Sequence, residues 1–121
     1  MTEYLITFNH EWVPELTDDD LREAAERVKA LRAEMKAAGV LIFTGGLDDA
    51  APVFSVDASS GTPLLTDGPF VESKEHLGGL AVVDVADEEA ARLWAGKIAV
   101  ACGWPQEVHR FRVPMKLPET S

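Results

Sequence analysis

Two segments with helical periodicity separate the short apolar segments of this 121-residue chain, and both have clear start and stop signals. The first is predicted to begin after Thr17 as the N-cap, with Asp20 completing a capping box, and to end at Gly39. The second is predicted to follow Asp87 and to end at Gly103. The apolar face of the first helix is Leu21, Ala24, Val28, Leu31 and Met35, and that of the second is Trp94, Ile98 and Ala101.

The segments around the helices have the apolar content and bounding turn residues of β-strands. They are residues 4–8, 40–44, 52–56, 62–66, 79–85 and 106–113. The third and fourth flank a turn-rich segment and predict a hairpin, in which Pro63 indicates an edge strand. Without this hairpin the order is β-α-β-β-α-β, the ferredoxin-like α+β pattern. We expect a single domain over residues 1–121, with its core in about residues 3–113 and a loose tail in residues 114–121.

Two helices can cover only one face of such a sheet, so the other face needs a different cover. Residues 4–8 and 79–85 are apolar on both faces and are predicted to be internal strands. We expect Tyr4 and Phe8 to contribute to the face that the helices leave open. The simplest cover is a second copy, which predicts a homodimer with its sheets face to face and a cleft at their edge.

The charge balance bears on the partners of the chain. A net charge of −10, from 21 acidic and 11 basic residues, repels nucleic-acid phosphates and anionic lipid, so we expect neither nucleic acid nor membrane as a partner. No apolar run is long enough to span a bilayer, and residues 1–4 do not resemble the start of a signal peptide, so we predict a cytoplasmic protein. The single cysteine, Cys102, is interpreted as a buried small apolar residue rather than a nucleophile.

The least generic stretch is residues 66–79, TDGPFVESKEHLGG. Its Asp-Gly-Pro triplet is typical of a turn, since Asp bonds its own backbone, Gly relieves steric limits and Pro fixes φ. Four ionisable groups follow within five residues: Glu72, Lys74, Glu75 and His76. Gly78 and Gly79 then permit close approach to another backbone or to a ligand.

This stretch resembles the signature of the YCII-related, DGPF-containing family of small bacterial proteins, in which the motif is followed by a Glu, a Lys-Glu pair and Leu-Gly-Gly. The similarity covers about residues 4–111, including the turn at residues 44–47. It implies a dimeric α+β barrel with a cleft that contains the signature. Members of the family largely have no assigned reaction, and some are encoded near extracytoplasmic-function sigma factors.

A His–Asp pair has been proposed as catalytic in the YciI-like branch of this family, with the His in the first helix. The predicted first helix of this chain contains no histidine. The resemblance therefore leaves Asp67 as the candidate signature acid, and a partner for it must come from elsewhere in the chain.

Six residues are candidates for the site. Asp67 and His76 are the candidate catalytic groups, and His10, Glu72, Lys74 and Glu75 are the candidate ligand-binding groups. Asp67 could instead serve only to form its turn. Glu72, Lys74 and Glu75 form either a solvated charge run or a network that orders the loop.

Metal binding is not expected, because the three histidines show no ligand spacing. His10 and His109 belong to the first and last strands, which neighbour each other in a ferredoxin-like sheet, so these two could approach one another. Residues 10–12, His-Glu-Trp, either line a pocket mouth or form a surface loop with Trp12 on Pro14. No nucleotide-binding or nucleophile-elbow motif occurs, so no cofactor is predicted.

The sequence leaves two functions open. The first is a small-molecule-binding or regulatory dimeric module with a polar cleft near the signature loop. The second is a cofactor-free enzyme in which Asp67 or His76 moves protons while Lys74 steadies a developing anion. A purely structural dimer subunit is a third alternative.

Overall fold

The computed structural model describes residues 1–69 and 75–113. Within this part the order of elements is the predicted one, with a short 3₁₀ turn, His10–Trp12, after the first strand. The elements are β1 (Thr2–Asn9), α1 (Asp18–Ala37), β2 (Leu41–Gly46), β3 (Phe54–Asp57), β4 (Leu64–Asp67), β5 (Leu77–Val85), α2 (Glu88–Cys102) and β6 (Glu107–Arg110).

The main sheet has the order β2-β5-β1-β6, and every neighbouring pair in it is antiparallel. Strands β1 and β5 are therefore internal, as their two apolar faces predicted. This order confirms the ferredoxin-like α+β fold. The inserted hairpin, β3 with β4, forms a separate two-stranded sheet.

Both hairpin strands begin two residues later than predicted, and β6 is shorter than the predicted segment 106–113. The prediction started the hairpin strands at Pro52 and Thr62. Proline has no N–H to donate to a ladder, so Pro52 and Pro63 lie before the paired residues rather than within them.

The helix ends follow the predicted signals. The Thr17 hydroxyl accepts the Asp20 N–H at 3.1 Å and an Asp20 carboxylate oxygen accepts the Thr17 N–H at 3.2 Å, which completes the capping box. At the other end Gly39 has a φ of 71°. Helix α2 begins where Asp87 accepts the Ala90 N–H at 2.9 Å. None of the helices in the described part of the chain is both long and apolar enough to cross a membrane.

Both helices pack on one face of the sheet. Ile6 and Val83 from the central strands are almost fully buried there, together with Met35 of α1 and Trp94 of α2. Tyr4 is also in this core, at 5% exposure, and Phe8 lies on the same side of β1, so the prediction that these two contribute to the uncovered face was wrong. Side chains alternate along a strand, and the uncovered face therefore belongs to the neighbouring positions, Leu5 and Thr7.

The uncovered face and the hairpin expose much apolar surface. Across the uncovered face, Leu5 pairs with Val82 and Val82 with Phe43, and the Phe43 side chain is 60% exposed. The hairpin segment leaves these apolar side chains more than half exposed: Val53, Phe54, Val56, Leu64 and Leu65. Apolar surface of this extent is typical of a surface that another molecule covers.

Candidate functional site

A β-bulge ends the pairing of β1 with β5 and brings the signature segment onto the turn after β1. Phe8 lies opposite Gly79 and Asn9 opposite Leu77, so Gly78 is the extra residue of β5. Beyond the bulge, the His10 N–H donates to the His76 carbonyl at 2.8 Å. The backbone of the signature segment is thereby hydrogen-bonded directly to residue 10.

The two glycines at the bulge allow an approach that a side chain would block. A Cβ at Gly79 would lie 2.6 Å from Cε1 of Phe8. A Cβ at Gly78 would lie 2.8 Å from Cε2 of Phe8 and 3.1 Å from both N and Nδ1 of His10. The close approach predicted for this glycine pair is therefore confirmed, and the partners are Phe8 and His10.

The central feature of the site is the pair formed by Glu11 and His76. One carboxylate oxygen of Glu11 accepts the His76 backbone N–H at 3.0 Å, and the other contacts Nδ1 of the His76 ring. The two side chains remain 37% and 55% exposed, respectively. The hydrogen bond from the His76 ring, followed by that from its backbone, lowers the pKa of Glu11 to about 2. Both the position and the ring orientation of His76 are thus held by one carboxylate.

Two of the other predicted residues lie beside this pair. The His10 ring lies over the bulge, with Nδ1 close to Gly78. Glu75 precedes His76 in the chain and is exposed. Glu72 and Lys74 lie outside the described residues. The structure therefore brings His10 and His76 together around Glu11.

Asp67 lies at the end of β4, in the separate hairpin. The turn after it is held by backbone groups, since the Gly68 N–H donates to the Val53 carbonyl at 2.7 Å and Ser55 Oγ donates to the Gly68 carbonyl at 2.6 Å. Neither a hydrogen bond nor an ion pair connects Asp67 to His76, both of which are described residues. The partner of His76 is Glu11 instead.

Sequence reasoning did not select Glu11 as a site residue. The carboxylate and His76 are 65 positions apart, and only the β1–β5 pairing brings them together. The available signal was residues 10–12, a His-Glu-Trp triplet directly after a central strand. The structure places this triplet in a 3₁₀ turn with no buried residue, and its two interpretations, a pocket mouth and a surface loop, both stay predictions.

His109 is remote from this cluster. It lies opposite Leu5, five residues before His10, which corresponds to roughly 16 Å along a strand. Its Nε2 is 3.3 Å from a carboxylate oxygen of Glu107. In residues 1–69 and 75–113, no group of three or more His, Cys, Asp or Glu side chains is arranged to hold a metal ion.

A cavity of about 340 Å³ lies between α1, the end of α2 and the sheet. Leu21 and Val28, predicted to belong to the buried face of α1, line this cavity and are 47% and 36% exposed. The helix face is therefore apolar as predicted, but only part of it is sealed in the core. Phe8 also lines the cavity, so its ring separates the cavity from the bulge.

Cys102 and Trp104 form the wall of the cavity near the end of α2. Cys102 is buried, as predicted, and its sulfur accepts a hydrogen bond from Gln106 Nε2 at 3.2 Å. Trp104 packs edge to face on Phe8, with ring centroids 5.4 Å apart. The contact between Phe8 and Trp104 therefore forms part of the cavity wall and also lies next to the bulge.

The protein is a ferredoxin-like α+β protein, as its sheet order, the placement of its helices and its inserted hairpin show. Its polar site lies where β1 ends and β5 begins. Residues 4–103 match the family model of the YCII-related domain, which confirms the resemblance drawn from residues 67–79. The chain belongs to the YCII-related family. No curated protein matches it at a significant level.

Proposed function

We propose that the protein is a small-molecule-binding dimeric module whose polar site is formed by His10, Glu11 and His76 beside the signature segment. The observation that supports this function best is the Glu11–His76 pair. Its carboxylate is bonded to the ring and to the backbone of His76, so the imidazole is fixed before any ligand arrives. Groups held in place before binding lose little entropy on binding.

The free edge of His76 is the part that a ligand would contact. An imidazole has two nitrogens, and Glu11 engages Nδ1, which leaves Nε2 for another partner. The side chain is 55% exposed, so this edge can be reached from solvent. His10 is hydrogen-bonded to the His76 carbonyl through its backbone N–H, and the signature residues Glu72, Lys74 and Glu75 remain predicted contributors to the site.

The binding site is tested by thermal-shift screening of the wild-type protein against a metabolite library. Hits are repeated on Glu11→Gln, which keeps a side chain of similar size but weakens the hold on His76, and on His76→Gln. Glu107→Gln serves as the matched control, because Glu107 pairs with a histidine at a distance from the site. Hits that shift wild-type protein and Glu107→Gln but not the two site variants support the proposal. Hits that shift all four proteins equally contradict it.

A second candidate function is cofactor-free acid–base catalysis, which the same pair favours. A histidine oriented by a carboxylate is a common arrangement for proton transfer, and Glu11 rather than Asp67 would be its orienting group. Each thermal-shift hit is incubated with the protein and followed by ¹H NMR. Conversion that is lost in His76→Gln supports catalysis, whereas a hit that stays unchanged supports binding alone.

The homodimer, and with it the closed barrel, is supported by the uncovered sheet face. Leu80 and Val82 are only half-buried there, and Phe43 is largely exposed. On the same face Asp84 Oδ1 is shielded from solvent, yet it has no hydrogen-bond partner among the described residues. A second copy packed on this face would cover the apolar groups and could supply that partner. The cytoplasmic location stays a prediction.

The dimer is tested by sedimentation velocity of variants on opposite sides of the molecule. Phe43→Ser changes the uncovered sheet face, and Val100→Ser changes an exposed apolar position on α2, where the side chain is 78% exposed. We expect a wild-type dimer, dissociation of Phe43→Ser and no change for Val100→Ser. A monomeric wild type, or dissociation of Val100→Ser alone, contradicts the sheet-to-sheet arrangement.

A further inference from the structure

Helix α1 presents a row of cations beside the cavity. Lys29, Arg32 and Lys36 are spaced by three and four residues, so they fall within roughly 60° of the helix circumference. None of the three forms an ion pair with any residue in the described ranges, whereas Arg22 on the same helix pairs with Asp19 at 3.0 Å. A local positive row is unusual in a chain with a net charge of −10.

Arg32 is the member of this row that borders the cavity, and it is the sole charged residue among those that line it in the described structure. The other lining groups are mostly apolar: Ile6, Phe8, Leu21, Val28, Leu41 and Ile98 are examples. A largely apolar pocket with one charged group at its border is the usual design of a site for an amphipathic small molecule.

The size of the cavity limits the ligand. A volume of about 340 Å³ equals that of roughly eleven water molecules at ~30 Å³ each. It lies at the lower end of the roughly 300–1,000 Å³ that small-molecule pockets have, and it therefore suits a compact body such as a bicyclic aromatic ring or a medium-length alkyl chain.

We propose that this cavity binds a monocarboxylic acid with a compact apolar body, whose carboxylate pairs with Arg32. A guanidinium offers two parallel N–H donors that match the two oxygens of a carboxylate. One cation at the border balances one negative charge. More highly charged anions are disfavoured, because the rest of the protein is strongly acidic.

This site is separate from the Glu11–His76 pair. Phe8 lies between them, since its ring lines the cavity on one side and lies against the two glycines of the bulge on the other. The acid-binding site therefore does not depend on the function proposed above. Naphthoate binding that is unchanged in His76→Gln would show that the two sites are independent.

The charge recognition is tested by isothermal titration calorimetry with 2-naphthoate and its neutral analogue 2-naphthamide. We expect wild-type protein to bind naphthoate about tenfold more tightly than the amide, the scale of one hydrogen-bonded charge. Arg32→Gln is expected to abolish this preference. Lys29→Gln removes a neighbouring cation that does not line the cavity, and is expected to keep most of it.

Occupation of the cavity is tested with Ala25→Phe, which adds a ring at an exposed position of the cavity wall. Both naphthyl probes should lose affinity at least tenfold, while melting temperature and sedimentation mass stay those of the wild type. The proposal is overturned if the wild type does not bind naphthoate, or if Arg32→Gln keeps the wild-type preference for naphthoate. It is also overturned if Ala25→Phe changes the sedimentation mass, because a second copy of the chain would then be the occupant of the cavity.

Discussion

Substitution of Gly79 by alanine adds a methyl group where the Phe8 ring already lies. The added Cβ would be 2.6 Å from Cε1 and 2.8 Å from Cζ of that ring, far inside van der Waals contact. The ring can yield by moving towards the cavity that it lines. This movement would break its edge-to-face contact with Trp104. The substitution therefore forces either strain or the loss of an aromatic contact.

The size of the effect follows from these two outcomes. An added methyl group in a packed site costs about 1–3 kcal/mol, and loss of an aromatic pair costs about 0.5–1.5 kcal/mol. Because Phe8 is half-buried and can yield, we expect Gly79→Ala to lower the free energy of unfolding by about 1–2 kcal/mol. For a domain of this length that corresponds to a fall in Tm of roughly 3–8 °C.

Gly46→Ala is the matched control, because Gly46 lies directly opposite Gly79 in the β2–β5 pairing. A Cβ there meets no atom within 4 Å, and Gly46 is not among the residues with positive φ. Reduced freedom of the unfolded chain should leave Gly46→Ala neutral or about 0.4–1 kcal/mol more stable. Both variants are compared by urea unfolding followed by circular dichroism.

A double-mutant cycle assigns the cost to the ring. In a Phe8→Ala background the obstruction is gone, so the further change Gly79→Ala should cost nothing, and the coupling energy should equal its cost in the wild type. The reasoning is refuted if alanine at 46 and 79 is equally destabilising, or if the penalty at 79 persists without the ring.

Three further predictions concern single side chains. Because the pKa of Glu11 is lowered to about 2, its stabilising effect is fully present above pH 4.5 and disappears as the pH falls through about 2; the carboxyl ¹³C shift should titrate with that midpoint. Thr17→Ala should lower the free energy of unfolding by about 1 kcal/mol through loss of the capping box, with the exposed Thr62→Ala unchanged in the same urea titration. Arg27→Gln should lower it by about 1–2 kcal/mol, because Arg27 Nε donates at 2.9 Å to a carbonyl near the end of α2, whereas Arg22→Gln, in an exposed ion pair, should change it by less than about 0.5 kcal/mol.

The elements of this fold were predictable because their signals are local. A capping box involves residues three positions apart, and Thr17 with Asp20 specifies the start of α1 without reference to the rest of the chain. Gly39 and Gly103 end their helices for an equally local reason, since both adopt positive φ. Two apolar faces identified β5 as internal. The order of elements then left the ferredoxin-like arrangement as the simplest sheet.

The site was less predictable, because its contacts depend on register and on how completely a face is sealed. Periodicity placed Leu21 and Val28 on the apolar face of α1, but it could not show that these two residues line an open cavity. Gly78 and Gly79 indicated a close approach without indicating to what. The partner of His76 followed from a bulge that has no sequence pattern of its own.

The two glycines of the bulge affect different properties of the protein, and this difference can be measured. Alanine at 79 lies closest to the ring of Phe8, a side chain that can move. Alanine at 78 would also lie 3.1 Å from the backbone N of His10, the group that donates to the His76 carbonyl. Backbone yields less readily than a ring, so Gly78→Ala should displace His76 from Glu11.

The expected result is that Gly78→Ala raises the midpoint of the Glu11 titration from about 2 towards its ordinary value of 4.5, because the hydrogen bonds that lower the pKa are weakened. Gly79→Ala should lose stability yet keep the wild-type midpoint. Carboxyl ¹³C titrations of the two variants give this comparison directly. If both variants keep a midpoint near 2, the bulge stabilises the sheet but does not position the Glu11–His76 pair, and the polar site is held by other contacts.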